Sequence, residues 1–366
     1  MAPSGKSLNP PVGISHVTQS ITDLYRHRVA DARSVTLRSA AQLNAFPHLG
    51  TVFTLGCAFA LAEQLRELLD VNVDLEFWSL ENAPATVRET DLGPYYLPLF
   101  EAPSGEPGLS RSELHEPVFK TVLNHYSSLT SVPVRMLTYR QFQRERRTRQ
   151  QMRRLLDNND LIKHLLTPSE KHLKLRFACP HCAWTPKLGV RSIDSTSDTE
   201  LVARSVCFDH GEYQNVLSET STDYFDTNTP VRALIREIHT VHASSHDPAQ
   251  QSIFCDGSDW AHFGDINAQA LWALNEPVTA APMRFFAPSI IDDTGAKLSK
   301  SAQVGTDVYR HMDQFVVDAE ALIEQYGLPA LSRVMNETRL WLTDTKRIFR
   351  SYTLDRIEDV VTGAAS

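Results

Sequence analysis

Residues 34–51 read "SVTLRSAAQLNAFPHLGT". The first six, "SVTLRS" (34–39), alternate apolar with polar positions, the period of a half-buried strand. "AAQLNAFPHLGT" (40–51) follows as a turn carrying Pro47 and Gly50. The next stretch, "VFTLGCAFALAEQLRELL" (52–69), is apolar first and amphipathic later, which predicts a partly buried helix. "VNVDLEFWSL" (71–80) then reads as a second strand. Strand, turn, helix, strand is the repeating unit of a doubly wound parallel sheet, so the expected class is α/β.

Working outward, residues 14–30 have helical spacing. Residues 83–116 bear Pro and Gly and predict an irregular, pocket-lining insertion. Helices are expected over 117–127 and 139–167, with "VPVRMLTY" as a strand between them. Residues 174–216 predict short strands, and 231–245 a helix. "QSIFCDGSDW" (251–260) reads as a strand ending in a polar turn, and "MRFFAPSII" (283–291) as a later strand. From 307 onward the pattern is helical, and Phe315, Leu322, Leu331, Leu340 and Phe349 are expected to pack on the core.

The chain has 366 residues, 42% hydrophobic and 22% charged, an ordinary globular balance with room for two or three domains. No apolar run reaches the roughly 18 residues of a membrane helix, so no membrane partner is expected. The start, "MAPSGKSLNPPVG", has no apolar signal core and predicts a disordered tail in a cytoplasmic protein. A net charge of −8 argues against indiscriminate nucleic-acid binding but leaves room for a local basic face.

Three of the five cysteines cluster. "CPHC" (179–182) and "CFDH" (207–210) form two short knuckles, C-x2-C and C-x2-H. Cys179, Cys182, Cys207 and His210 make a closed set suited to structural zinc, with His181 as an alternative nitrogen ligand. Four protein ligands leave no open position for catalysis.

The turn "PHLGT" (47–51) puts His48 and Gly50 where a helix begins. Helix N-termini present free N–H groups and partial positive charge, so anions dock there. Taken alone, His48 reads as a turn histidine capping its own helix. "KLSKS" (297–301), just after "DDTGA", sets two cations three residues apart. Taken alone, it reads as a solvated loop.

Together, and in this order, the two resemble the paired signatures of class I aminoacyl-tRNA synthetases. "PHLGT" looks like their HIGH motif with Thr51 in place of the last His, and "KLSKS" like their KMSKS motif. The resemblance implies a Rossmann-type sheet and ATP-dependent adenylation of an amino acid with release of pyrophosphate, using ATP and Mg2+. It implies that His48 contacts the phosphates and that Lys297 and Lys300 close over them. Gly50, Thr51, Ser299 and Ser301 would shape the ATP site. "CDGSDW" (255–260) matches the family's Gly-x-Asp turn at the ribose, through Gly257 and Asp259, with Trp260 where the lysyl branch has His.

The zinc knuckles between the halves look most like class I lysyl-tRNA synthetases, so a lysine-like substrate is the first expectation. Glu81, Glu89 and Asp91 are candidate counter-ions for it, with Tyr95 or Tyr96 as walls. Arg140, Arg144, Arg146, Arg147, Arg149, Arg153 and Arg154 read either as an RNA contact or as a solvated helix face. The lysyl branch carries a large anticodon-binding region after KMSKS. Here 65 residues follow Ser301, so no anticodon reading is expected. The acceptor is then a small molecule, a carrier protein or peptide, or a tRNA acceptor end.

The expected organisation is a tail (1–13), a first catalytic half (14–116), a helical connection (117–173), a zinc ribbon (174–216), a second half with the KLSKS loop (217–306) and a helical segment (307–366). Two other classes remain: a nucleotidyltransferase acting on a non-amino-acid substrate, and a non-catalytic binding module.

Overall fold

The computed structural model describes residues 21–170, 173–195, 197, 200–292, 294–298 and 312–364. The expected tail 1–13 lies outside the described residues. In chain order, α1 (Thr22–Val29) leads into β1 (Ser34–Ala41), α2 (Leu49–Leu69) and β2 (Asn72–Ser79). A hairpin of β3 (Pro84–Thr90) and β4 (Gly93–Pro98) precedes α3 (Arg111–Thr130) and β5 (Val134–Thr138). Three short helices follow: α4 (Tyr139–Arg144), α5 (Arg146–Asp157) and α6 (Asn159–Leu166).

The cysteine-bearing region holds β6 (Arg176–Phe177), β7 (Thr185–Pro186), β8 (Ser192–Ser195), β9 (Glu200–Cys207), β10 (Gly211–Ser218) and β11 (Phe225–Asp226). Then α7 (Thr229–His246), β12 (Gln250–Gly257), α8 (Ala261–Ala273), β13 (Met283–Ala287) and β14 (Ile290–Ile291) complete the core. The helices α9 (Gln314–Val317), α10 (Ala319–Tyr326), α11 (Leu328–Thr343) and α12 (Thr345–Ile348) lead to β15 (Tyr352–Thr353) and α13 (Leu354–Thr362).

The central sheet has five strands in the order β13-β12-β1-β2-β5, all parallel. β1 lies in the middle, with Leu37 beside Leu75 on one side and Ile253 on the other. The chain runs outward from β1 in both directions, so the order reverses between β1 and β12. Ligands of open α/β sheets bind at that reversal, beyond the carboxyl ends of the strands.

The period-2 pattern gives each face its own core. Leu37, Leu75, Phe77, Ile253 and Phe285 join α2, α3 and the C-terminal helices in one cluster. Ala40, Trp78 and Leu137 join α5, α7 and α8 in the other. The C-terminal helices pack on α2 through Trp341, whose ring stacks on Phe53 at 5.1 Å and on Tyr352 at 4.2 Å.

Several expectations need correcting. The stretch 83–116 is not irregular throughout: it contains a hairpin, with a register shift between Pro84 and Thr86, and the first turns of α3, which begins at a capping box of Ser110 and Glu113 and carries Pro117 inside it. The predicted helix 139–167 is three helices, interrupted at Glu145 and Asn158. Leu340 and Phe349 are exposed, at 49% and 51%, whereas Phe315, Leu322 and Leu331 are buried. Among the described residues, no helix is long and apolar enough to cross a membrane.

Candidate functional site

A cavity of about 400 Å³ opens at the carboxyl edge of the sheet, at the β1/β12 reversal. His48, Gly50 and Thr51 enter it from the start of α2, Gly257, Asp259 and Trp260 from the end of β12, and Lys297 and Leu298 from the segment after β14. Motifs some 250 residues apart thus meet in one place.

Each side chain is held for a local reason. His48 is the N-cap of α2, in extended backbone, and its Nδ1 accepts from Thr51 N at 3.3 Å. The capping expected of a turn histidine is therefore present, and the ring still lines the cavity. Gly50 permits this placement, because a Cβ there would sit 2.7 Å from His48 Cε1. At Gly257 a Cβ would lie 2.7 Å from Asp259 Oδ1 and 3.5 Å from Lys297 Nζ. Lys297 and Asp259 form an ion pair across the cavity mouth. Leu298 is 2% exposed and donates its N–H to Ile290 O at 2.9 Å, which anchors the start of KLSKS to β14. Ser299, Lys300 and Ser301 lie outside the described residues.

The opposite wall comes from α7 and α8. Arg232 is bound to Asp226, at 2.9 Å, and Arg284 to Glu237, at 2.5 Å. Glu237 also accepts from Asn267 Nδ2, at 2.6 Å. Arg236 and Asp256 line the same cavity. Burial pushes the Asp256 carboxyl up to about 6, against the opposing pull of Arg236 and Arg284. Trp260 lies against Phe263, with ring centroids 5.0 Å apart. Neither Arg236 nor Asp256 was singled out in the sequence. A lone arginine inside an amphipathic helix carries no motif, while Asp256 was legible only as the residue before the Gly-x-Asp turn.

The other predicted substrate residues are elsewhere. Glu81 is 2% exposed and accepts the N–H groups of Tyr139 and Arg140 at 3.0 and 2.9 Å, capping α4. Glu89 and Asp91 sit on and beside the β3–β4 hairpin, outside the cavity lining. Tyr95 donates to Val206 O and Tyr96 to Asp226 Oδ2, so both tie β4 to its neighbours rather than wall the cavity.

Cys179, Cys182, Cys207 and His210 converge, with all ligand atoms within 4.8 Å of one another. Cys182 Sγ and Cys207 Sγ are 3.5 Å apart, and His210 Nδ1 lies 3.8 Å from Cys179 Sγ. Tetrahedral zinc with Zn–S of about 2.3 Å places its ligands roughly 3.7 Å apart, so the donor set and spacing fit that ion. The backbone explains the convergence. Ala183, with φ 60°, closes the first knuckle by donating to Cys179 O, and Gly211, with φ 76°, turns the β9–β10 hairpin. His181 is exposed, with its ring 5.2 Å from that of His210, and is outside the cluster. None of these residues lines the cavity.

Much of the arginine-rich stretch is engaged within the fold. Arg149 is 1% exposed and donates to Ser221 and to Asp223 O. Arg146 pairs with Glu219, Arg153 with Asp157, Arg154 with Glu276 and Arg140 with Glu81. Arg144 and Arg147 are exposed.

No known family profile matches the chain, and no curated protein matches it. Solved structures do. The chain is similar to Mycobacterium tuberculosis methionyl-tRNA synthetase bound by methionyl-adenylate, at 14% identity and a TM-score of 0.43, over 89% of this chain and 67% of that one. A second structure of that enzyme with methionyl-adenylate gives a TM-score of 0.45 over the same shares. Glutamate-tRNA synthetase from Elizabethkingia anophelis is similar at 11% identity and a TM-score of 0.33, over 74% of this chain and 54% of that one. Likeness at this level concerns the fold and says nothing of the site.

Proposed function

We propose that the chain activates an amino acid: its carboxylate attacks the α-phosphate of ATP, an acyl adenylate forms and pyrophosphate leaves. The observation that carries this reading is the meeting of the His48–Thr51 turn, the Gly257–Asp259 turn and Lys297 around one cavity at the sheet reversal. Such chemistry needs little covalent help. Positioning and stabilisation of charge on the phosphoryl oxygens dominate.

The start of α2, with His48, Gly50 and Thr51, receives the phosphates. Gly257 gives the nucleotide room beside β12, and Asp259 accepts from the ribose. Lys297 exchanges its ion pair with Asp259 for the leaving pyrophosphate, joined by Lys300, while Ser299 and Ser301 shape that loop. Mg2+ accompanies the ATP. Trp260 flanks the cavity. One zinc ion on Cys179, Cys182, Cys207 and His210 has a structural role. The acyl group then passes to a small molecule, a carrier or a tRNA acceptor end. A lysine side chain finds no counter-ion in Glu81, Glu89 or Asp91, which lie outside the cavity lining.

Oxygen labelling tests the reaction class. With 18O in the amino acid's carboxyl group, the bridging oxygen of the adenylate stays with AMP when the acyl group departs. AMP carrying one 18O is expected. Unlabelled AMP, or adenylation of a substrate with no amino-acid carboxyl, would favour a nucleotidyltransferase instead.

A further inference from the structure

Among the described residues, the cavity's cations are unequal. Arg232, Arg284 and Lys297 each have a carboxylate partner. Arg236 has no hydrogen-bonded carboxylate: its Nε and Nη2 are shut off from solvent and make no hydrogen bond, and Asp256 and Glu237 act on it only through space. Its guanidinium carbon lies 4.9 Å from the Trp78 ring and 5.3 Å from the Phe254 ring. A buried guanidinium with unmet donors is unfavourable, and two aromatic faces offset only part of that. We infer that the amino acid taken by this cavity has an acidic side chain, and that Arg236 holds its carboxylate.

This rests on the activation reading above and deepens it. Position separates Arg236 from the phosphate end. Trp78 pairs with Ala40 and Phe254 with Arg38, so Arg236 lies across the central strands on the α7 face, below the rim formed by Ala41 and Gly257. His48 and Thr51 come from α2, which packs on the other face. The substrate's α-carboxylate must reach the phosphate end as nucleophile, and a guanidinium clamp there would blunt it. A second carboxylate, one side chain away, reaches the α7 face. A planar guanidinium with unmet donors, on the cavity lining, suits a carboxylate's paired oxygens. Two acceptors of the cavity lining make no hydrogen bond, Asn44 Oδ1 in the loop after β1 and Asn267 Oδ1 on α8, and they suit the α-ammonium.

The test is ATP–pyrophosphate exchange with aspartate, glutamate, 2-aminoadipate, their amides, lysine and leucine, on wild type, Arg236→Gln and Arg236→Lys. An acidic amino acid should be the best substrate. Arg236→Gln should lower its kcat/KM roughly 100-fold or more, with KM for ATP nearly unchanged and the amide gaining relative to the acid. Arg236→Lys, which keeps the charge and loses the fork, should fall between. A basic or neutral best substrate, or an Arg236→Gln variant within threefold of wild type, overturns the inference and leaves the activation reading standing. Exchange with none of them counts against activation itself. Thermal shift then reads the pocket alone: acidic amino acids should raise the Tm of wild type and not of Arg236→Gln, and no shift in wild type overturns the inference as well. If Arg236→Gln fails to fold, Arg236→Lys carries the comparison.

Discussion

Lys297 rests against Asp259. The pair carries no net charge, and under the proposed function Lys297 leaves it as negative charge develops on the pyrophosphate. Lys297→Ala should therefore lower kcat about 10²–10³-fold, with a much smaller effect on KM for ATP. A loss wholly in KM would make the lysine a ground-state binder. Gly50 makes a different point. Its Cβ position lies 2.7 Å from His48 Cε1, so Gly50→Ala displaces the ring. Alanine also suits a helix better than glycine, by about 1 kcal/mol. The displaced ring also gives up its cap on Thr51 N, at about 0.5–2 kcal/mol, so urea unfolding should show a stability change of no more than about 1 kcal/mol while activation falls about 100-fold, the usual cost of misplacing a positioned group. Equal losses of both would contradict this. Asp256 supplies the pH dependence. Its carboxyl is raised to about 6 in the fold, chiefly by burial, and returns to about 3.9 on unfolding. The folded chain thus binds this proton more tightly. That stability is present below pH ~4 and is lost as pH rises through 6. Asp256→Asn should therefore gain Tm relative to wild type between pH 4 and 7. A pH-independent difference would show that the carboxyl is ordinary.

At the scale of elements, what was legible followed from periodicity and punctuation. β1, α2, β2 and β12 stand within a few residues of their expected places, because alternation and an apolar helix are local signals. The β3–β4 hairpin was not legible. Its first strand is largely exposed and mixed in character, and its partners Tyr95 and Tyr96 are fixed by contacts with Val206 and Asp226, far along the chain. The interruptions at Glu145 and Asn158 were hidden for the same reason, since propensity there favours one long helix while packing against α7 and β10 divides it. The knuckles were legible from spacing alone. One zinc ion per chain is expected from elemental analysis. Chelation, or Cys207→Ser, should lower Tm markedly, because binding such an ion contributes folding free energy. Metal-free protein of unchanged Tm would remove the ion from the account.

At the scale of the whole molecule, the sheet reversal gathers motifs that are separate in sequence. The two turns were legible because each is a short local motif, and Lys297 of the second lines the cavity with His48 of the first. Arg236 was not, because its importance lies in what fails to pair with it after folding. Among the described residues, the C-terminal helices close the back of α2 through Trp341 and Leu331 and do not line the cavity. The central proposal is that this chain joins an amino acid to AMP. The most direct measurement is amino-acid-dependent exchange of labelled pyrophosphate into ATP, at saturating ATP and Mg2+, across protein and non-protein amino acids. The account predicts label in ATP with at least one amino acid, none without it, and a loss of about 10²-fold or more in Lys297→Ala. Exchange absent for every amino acid, or equally fast without any, would contradict it.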